Sequence, residues 1–343
     1  MILLSFMIVM TTTSWAKTVA NFQFDYFDQS LDVLDYIEKI DTSSLPESLE
    51  RFHIDLLVDL NESYSLGFRY TREDGDITRV VEPTFISNQF NTVEYIVVHN
   101  KPISEMTSKL YFSVGHTQQR EIIMECVQRG FVLLGGNCVN ADFQLIDGNA
   151  FENSNEFNYL PVLSSSVKAS YFKVEPSLFT QIGKLNIRYF LNVNLYNIQH
   201  DYKSALFDIQ SDFLLDSTIN NSSLRQTIGD LREELPQLNA WQDLVLGIGT
   251  QLSYQTDDLT TSVSIRFLHS HKINFEKPSL YRNNAELATK FDYAVSSALS
   301  IFIKGTAYLH YLQGVQPILY TEKSSRYFEH PYGELSLGMT YQF

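Results

Sequence analysis

Charged side chains recur at every second position in several stretches of this chain. Asp55 and Asp59 are interleaved with Ile54, Leu56, Val58 and Leu60, and Arg69 stands between Phe68 and Tyr70. Arg188, Asp208, Arg266, Asp292 and Lys304 are each flanked on both sides by apolar or aromatic residues, and Asp212 continues the series after Asp208. Successive residues of an extended strand point to opposite faces, so these charges share one face while their neighbours form an uncharged other face. Arg and Lys opposite Asp around a water-filled space set a transverse field that selects solutes by charge. The plainer alternative is that the same groups pair as salt bridges through a closed interior.

Other chemistry is sparse. His269 and His271, with His310 and His330 near neighbouring loops, are the best metal candidates, and Glu276 or Glu329 would complete a site. Scattered loop histidines are more often solvated, and no metal or cofactor is expected. Ser270 next to His269 places the hydroxyl on the opposite strand face, so it makes no nucleophile–base pair. P-loop, dinucleotide-binding and Gly-x-Ser-x-Gly motifs are all missing, and no enzyme is expected, with a lipid-modifying hydrolase as the minor alternative. The two cysteines, Cys126 and Cys138, lack metal-ligand spacing; in an oxidising compartment they would form a short-range disulfide, or stay as buried thiols. A formal charge of −15 argues against nucleic acid as a partner.

The elements that must carry these residues read as strands. Leu287 to Val295 and Leu299 to Tyr311 alternate on either side of Ser296-Ser297-Ala298, which reads as a hairpin. The runs 244–254 and 259–267 repeat the form around Thr256-Asp257-Asp258, and 52–60 and 64–70 around Asn61-Glu62-Ser63. A further hairpin is expected to turn at Gln199-His200-Asp201, between the runs from Leu185 and from Ala205. Strands are expected near 21–28, 51–60, 64–72, 92–99, 108–117, 140–147, 166–174, 184–198, 203–215, 241–255, 259–270, 285–295, 298–312 and 333–343. That is about 14 strands, with a range of roughly 12–16 because 118–165 reads either as a hairpin or as a helix and loop. Several strands reach the roughly 9–11 residues needed to cross a bilayer at a tilt. Connections alternate between short and long. Two of the long ones carry apolar residues at helical spacing: Leu224, Ile228, Leu231 and Leu235, and Leu31, Leu34 and Ile37.

The ends add two signals. Met1–Met10 is apolar and Ser14-Trp15-Ala16 forms a small-x-small site, so residues 1–16 are expected to be a signal peptide, although no Lys or Arg precedes the apolar run. Residues 17–343 would then form a single domain. The last segment alternates Leu335, Leu337, Met339, Tyr341 and Phe343. An aromatic terminus preceded by apolar residues at every second position resembles the assembly signal of bacterial outer-membrane β-barrels. The resemblance covers most of the mature chain. It implies an all-β antiparallel transmembrane barrel with short periplasmic turns and long extracellular loops, located in the outer membrane of a Gram-negative bacterium. It also implies that the last strand is read by the barrel-assembly machinery and closes against the first, with outer-membrane lipid and lipopolysaccharide around the wall. Too little chain precedes the first strand for a transporter plug. The expected function is a passive channel for small polar or charged solutes. The alternative is a non-conducting barrel whose loops bind a partner.

Overall fold

The computed structural model describes residues 17–28, 46–77, 86–104, 106–120, 122–125, 137–139, 145–147, 161–203, 218–219, 222–223, 225, 240–273, 283–309 and 332–343. The wall is built from β1 (Thr18–Asp28), β2 (Pro46–Asp59), β3 (Tyr64–Ile77), β4 (Ile86–Ile103), β5 (Met106–Gln119), β6 (Pro161–Ile182), β7 (Leu185–Lys203), β8 (Ala240–Gln255), β9 (Leu259–Ile273), β10 (Asn283–Ala294), β11 (Leu299–Tyr308) and β12 (Tyr332–Gln342). Each strand pairs antiparallel with its neighbour along the chain, and β12 pairs with β1 from Val19↔Gln342 to Asp28↔Gly333. The sheet therefore closes on itself as a barrel of 12 strands. Closure leaves no unpaired edge, which a sheet immersed in lipid requires. The short strand Ile122–Glu125 pairs with the start of β6 and prolongs the line of β5.

One expected strand is not a wall strand, and one expected turn is not a turn. Of 140–147, Leu145–Asp147 is a strand, but it pairs with Asn137–Val139 in a separate two-stranded ladder. Gln199-His200-Asp201 is not a turn: the three lie within β7, opposite Lys168, Val167 and Ser166 of β6. The turn is instead at Gly183-Lys184, where Gly183 takes φ +61°, a left-handed conformation that costs a residue without Cβ nothing. The partner expected at 203–215 lies, beyond Lys203, outside the described residues. So do the proposed signal peptide, Cys126 and hence its pairing with Cys138, and the two loop segments with helical spacing (Arg225 apart).

With these corrections the parity of the connections is complete. The short turns at 60–63, 104–105, 183–184, 256–258 and 295–298 share one end of the barrel with Lys17 and Phe343. The longer connections 29–45, 78–85, 120–160, 204–239, 274–282 and 309–331 share the other.

The two faces differ as the alternation requires. The outer face presents half-exposed apolar residues, among them Leu191, Ile248, Phe267, Leu287, Ile301 and Leu337. Tyr64, Tyr254, Tyr293 and Tyr341 lie on this face beside the short turns, an aromatic girdle of the kind that marks a membrane interface. The outward run from Leu185 to Leu195 rises about 25 Å at a tilt near 45°, the height of a barrel's apolar band. The inner face is polar over most of its height. Toward the long-loop end it turns apolar, where Phe90, Val167, Ala169, Ile198 and Trp241 form an almost fully buried cluster with Tyr196 packed on it.

Candidate functional site

The inner face carries the titratable groups, and strand parity decides which ones. Asp55, Asp59, Arg69, Arg188, Arg266, Asp292 and Lys304 all occupy inward positions, on β2, β3, β7, β9, β10 and β11. Asp208 and Asp212 lie outside the described residues. The structure adds partners that the sequence reading passed over: Asp25, Arg51, Glu94, Lys173, Glu175, Glu286 and Glu334.

Three groups of contacts organise this belt. In the first, Glu94 on β4 is 1% exposed. It accepts hydrogen bonds from Ser113, from Tyr111 (3.3 Å) and from Tyr171 (3.4 Å), with Arg69 at 3.6 Å and Lys173 at 3.7 Å. Arg69 also donates through Nε (2.6 Å) and Nη2 (3.1 Å) to the two oxygens of Asp55, a bidentate fork that fixes its plane. In the second group, Arg51 reaches Glu73 (2.9 Å), Glu334 (3.7 Å) and Asp25 (3.8 Å), and His53 bridges Asp25 (2.7 Å) and Thr71 (2.8 Å). Glu334 accepts from Tyr308 (2.9 Å) and has Lys304 at 3.9 Å. In the third, Glu175 pairs with Arg188 and accepts from Asn192, while Arg266 pairs with Glu286 at 3.4 Å. The guanidiniums of Arg188 and Arg266 both lie over the Phe190 ring, at 4.9 and 5.1 Å from its centroid. Gly249 on β8 stands in register between Phe190 and Arg266, and its missing side chain is the space the ring occupies.

Each of these pairs joins strands that are adjacent or next but one in the sheet. The charges are therefore neutralised along the wall, by groups at similar heights, and need no partner from across the barrel. Two further candidates pair locally: Lys290 donates to Asp292 (2.7 Å) while lying over the Phe302 ring, and Asp59 accepts from Ser65 (2.7 Å). The belt thus consists of ionised groups of both signs, held in place by charge-assisted hydrogen bonds.

Other candidates fall elsewhere. His269 and His271 sit on the outer face of β9, opposite Leu246 and Leu244. His269 hydrogen-bonds Asn283 at 2.9 Å. His310 and His330 lie outside the described residues, and among the described residues no cluster of His, Cys, Asp or Glu forms a metal site. Leu335, Leu337, Met339, Tyr341 and Phe343 all lie on the outer face of the closing strand.

Glu94, Glu286 and Glu334 obey the same every-second-position rule as the residues that were singled out, so that signal was available. Glu175 was hidden because it precedes Pro176, where the expected strand had already ended.

No protein-family model matches the chain, and no curated protein does either. Solved structures match it in shape. One is the translocator domain of the autotransporter NalP from Neisseria meningitidis, with a TM-score of 0.50 and 8% identity over 97% of this chain and 90% of that one. Another is the beta domain of the Bordetella autotransporter BrkA, with a TM-score of 0.46 and 8% identity over 96% of this chain and 99% of that one. A third is the NanC porin, at 0.42 and 8% over 94% and 100%. At such identities the likeness is one of fold. The chain has the fold of the bacterial outer-membrane β-barrels: antiparallel and closed, with most of the charged residues of its band turned inward.

Proposed function

We propose that the barrel is a passive channel of the outer membrane for small polar or charged solutes, with the inner belt as its selective lining. The observation that carries this reading is that the belt's charges are satisfied within the wall. Side chains folded onto the wall by partners one or two strands away do not have to meet at the barrel axis. Lumen diameter grows with strand number, and 12 strands stand between the roughly 8 whose interior side chains fill and the roughly 16–18 that leave an aqueous channel.

One observation favours the second reading, a non-conducting barrel that works through its long loops. Phe90, Val167, Ala169, Ile198 and Trp241 face inward yet are almost fully buried, whereas an open mouth on that side would wet them. Single-channel recording of the purified protein in planar bilayers separates the two. A channel gives a stable conductance, and Arg188→Gln or Arg266→Gln moves the reversal potential toward cations because Glu175 or Glu286 loses its counter-charge. A barrel that inserts and stays silent overturns the channel reading and supports the second.

A further inference from the structure

The outer wall holds a hydroxyl–imidazole pair that plays no part in the lumen. Ser170 on β6 lies directly opposite His116 on β5 and Asn197 on β7, so the three form a row across adjacent strands on the outer face. All three are exposed. The Ser170 hydroxyl donates to His116 Nδ1 at 3.2 Å in the tautomer that keeps its proton on Nε2. Fifty-four residues separate the two in sequence, and only the strand register brings them together.

Their height on the wall is the second observation. On the three strands that carry this row, the next outward residues toward the short turns are Val114, Phe172 and Leu195, all apolar or aromatic. The next outward residues toward the long loops on the same strands are Gln118, Lys168 and Gln199. Ser170 and His116 thus stand where the apolar band gives way to polar side chains. In a lipid leaflet this is the level of the ester carbonyls that join acyl chains to the headgroup.

The geometry points to an acyl-ester hydrolase site on the outer face, with Ser170 as nucleophile and His116 as general base, acting on esters of a membrane lipid. Ser170 Oγ attacks the ester carbonyl carbon as its proton passes to His116 Nδ1, giving a tetrahedral oxyanion. The backbone N–H groups here are committed to the β-ladder, so the donors for that oxyanion are side chains. Asn197 lies directly opposite the nucleophile, and Lys168 is two residues along the same strand on the same face. Collapse breaks the bond to the alkoxy oxygen, which takes the proton from the imidazolium and leaves as the alcohol. The acyl group stays on Oγ until water, activated by the same imidazole, attacks it; fatty acid departs and the serine regains its proton. The phenylalanine and leucine row below is placed to hold the acyl chain, and Lys168 above to meet an anionic headgroup.

The test uses the full-length folded protein, with folding verified by its heat-sensitive migration in gels. It is treated with a fluorophosphonate reagent in detergent, and separately reconstituted into vesicles of phospholipid alone or of phospholipid with lipopolysaccharide, where free fatty acid is measured. The expected result is a single modified serine, Ser170, with neither labelling nor acyl release in Ser170→Ala and a fall of about 100-fold or more in His116→Gln. Release from only one vesicle type identifies phospholipid or lipopolysaccharide as the source of the ester. The proposal is overturned if the folded wild-type protein is neither labelled nor releases acyl chains from either vesicle. It is equally overturned if labelling survives Ser170→Ala, or if His116→Gln reacts at the wild-type rate.

Discussion

Glu94 gathers two cations and three hydroxyls around one carboxylate, and at 1% exposure it has almost no water to fall back on. Arg69 retains Asp55 if Glu94 is neutralised, but among the described residues Lys173 is left with the Tyr171 ring at 4.3 Å. Removing one partner of a buried pair is costly because the other charge stays behind without compensation. Glu94→Gln should therefore lower unfolding stability by about 3 kcal/mol, measured by urea titration in lipid vesicles. The double variant Glu94→Gln/Lys173→Met should regain most of that loss, since the stranded ammonium is gone. If the two single effects simply add, Lys173 is not coupled to Glu94 and is solvated on its own.

At the scale of strands and turns, the close approaches are the sensitive places. The Phe302 ring of β11 occupies the space beside Gly338 of β12, and a methyl group at Gly338 would also come within 2.6 Å of the backbone oxygen of Phe22 on β1. A ring can swing away, but a carbonyl fixed in the ladder cannot. Gly338→Ala should cost about 1–3 kcal/mol and lower the temperature at which the barrel loses its compact gel mobility, because it pushes apart the seam that closes the sheet. At the β6–β7 turn nothing crowds Gly183, so Gly183→Ala tests the backbone alone: the left-handed conformation predicts a loss of about 1–2 kcal/mol in the same urea titration.

These two strands also show why the reading from sequence went wrong where it did. The ladder between β6 and β7 runs from Leu185↔Ile182 to Lys203↔Ser164 and is interrupted between Phe190↔Ser177 and Val193↔Val174, at Pro176, which has no N–H to give. A proline amid Glu175 and Ser177 looks like the end of a strand, and Gln199-His200-Asp201 looks like a turn. In fact the first is a local break and the second is the polar top of a strand rising past the apolar band. The period of two made the wall, its faces and the inward charges legible from local sequence. Register is not local. A turn at residues 199–201 would have set Arg188 against 203–215, whereas the turn at 183–184 brings it to Glu175. Which carboxylate meets which cation therefore waited on the turns, and the meeting of His116 with Ser170 on the pairing of β5 with β6 across a long connection.

For the molecule as a whole, the strand pairings define heights on the wall, and those heights can be measured without a ligand. An arginine on the lipid face costs roughly 2–4 kcal/mol at the bilayer midplane and about 0–1 near either interface. Along the outer face of β7 the residues are Tyr189, Leu191, Val193 and Leu195 in the band, then Asn197 and Gln199 above it. Arginine placed singly at Leu191, Leu195 and Gln199 should give a steep fall in penalty, from about 3 kcal/mol at Leu191 to near zero at Gln199, in urea titrations from vesicles. The same substitution at Asn192, on the inner face, should not follow this depth profile, because its surroundings are Glu175 and the belt rather than lipid. The level at which the penalty vanishes locates the boundary of the apolar band. If that level coincides with Asn197, it also places Ser170 within about 5 Å of it, one strand spacing, since the two are in register. A penalty independent of depth would mean that the outer face does not meet hydrocarbon, and would remove the membrane from both functional readings at once.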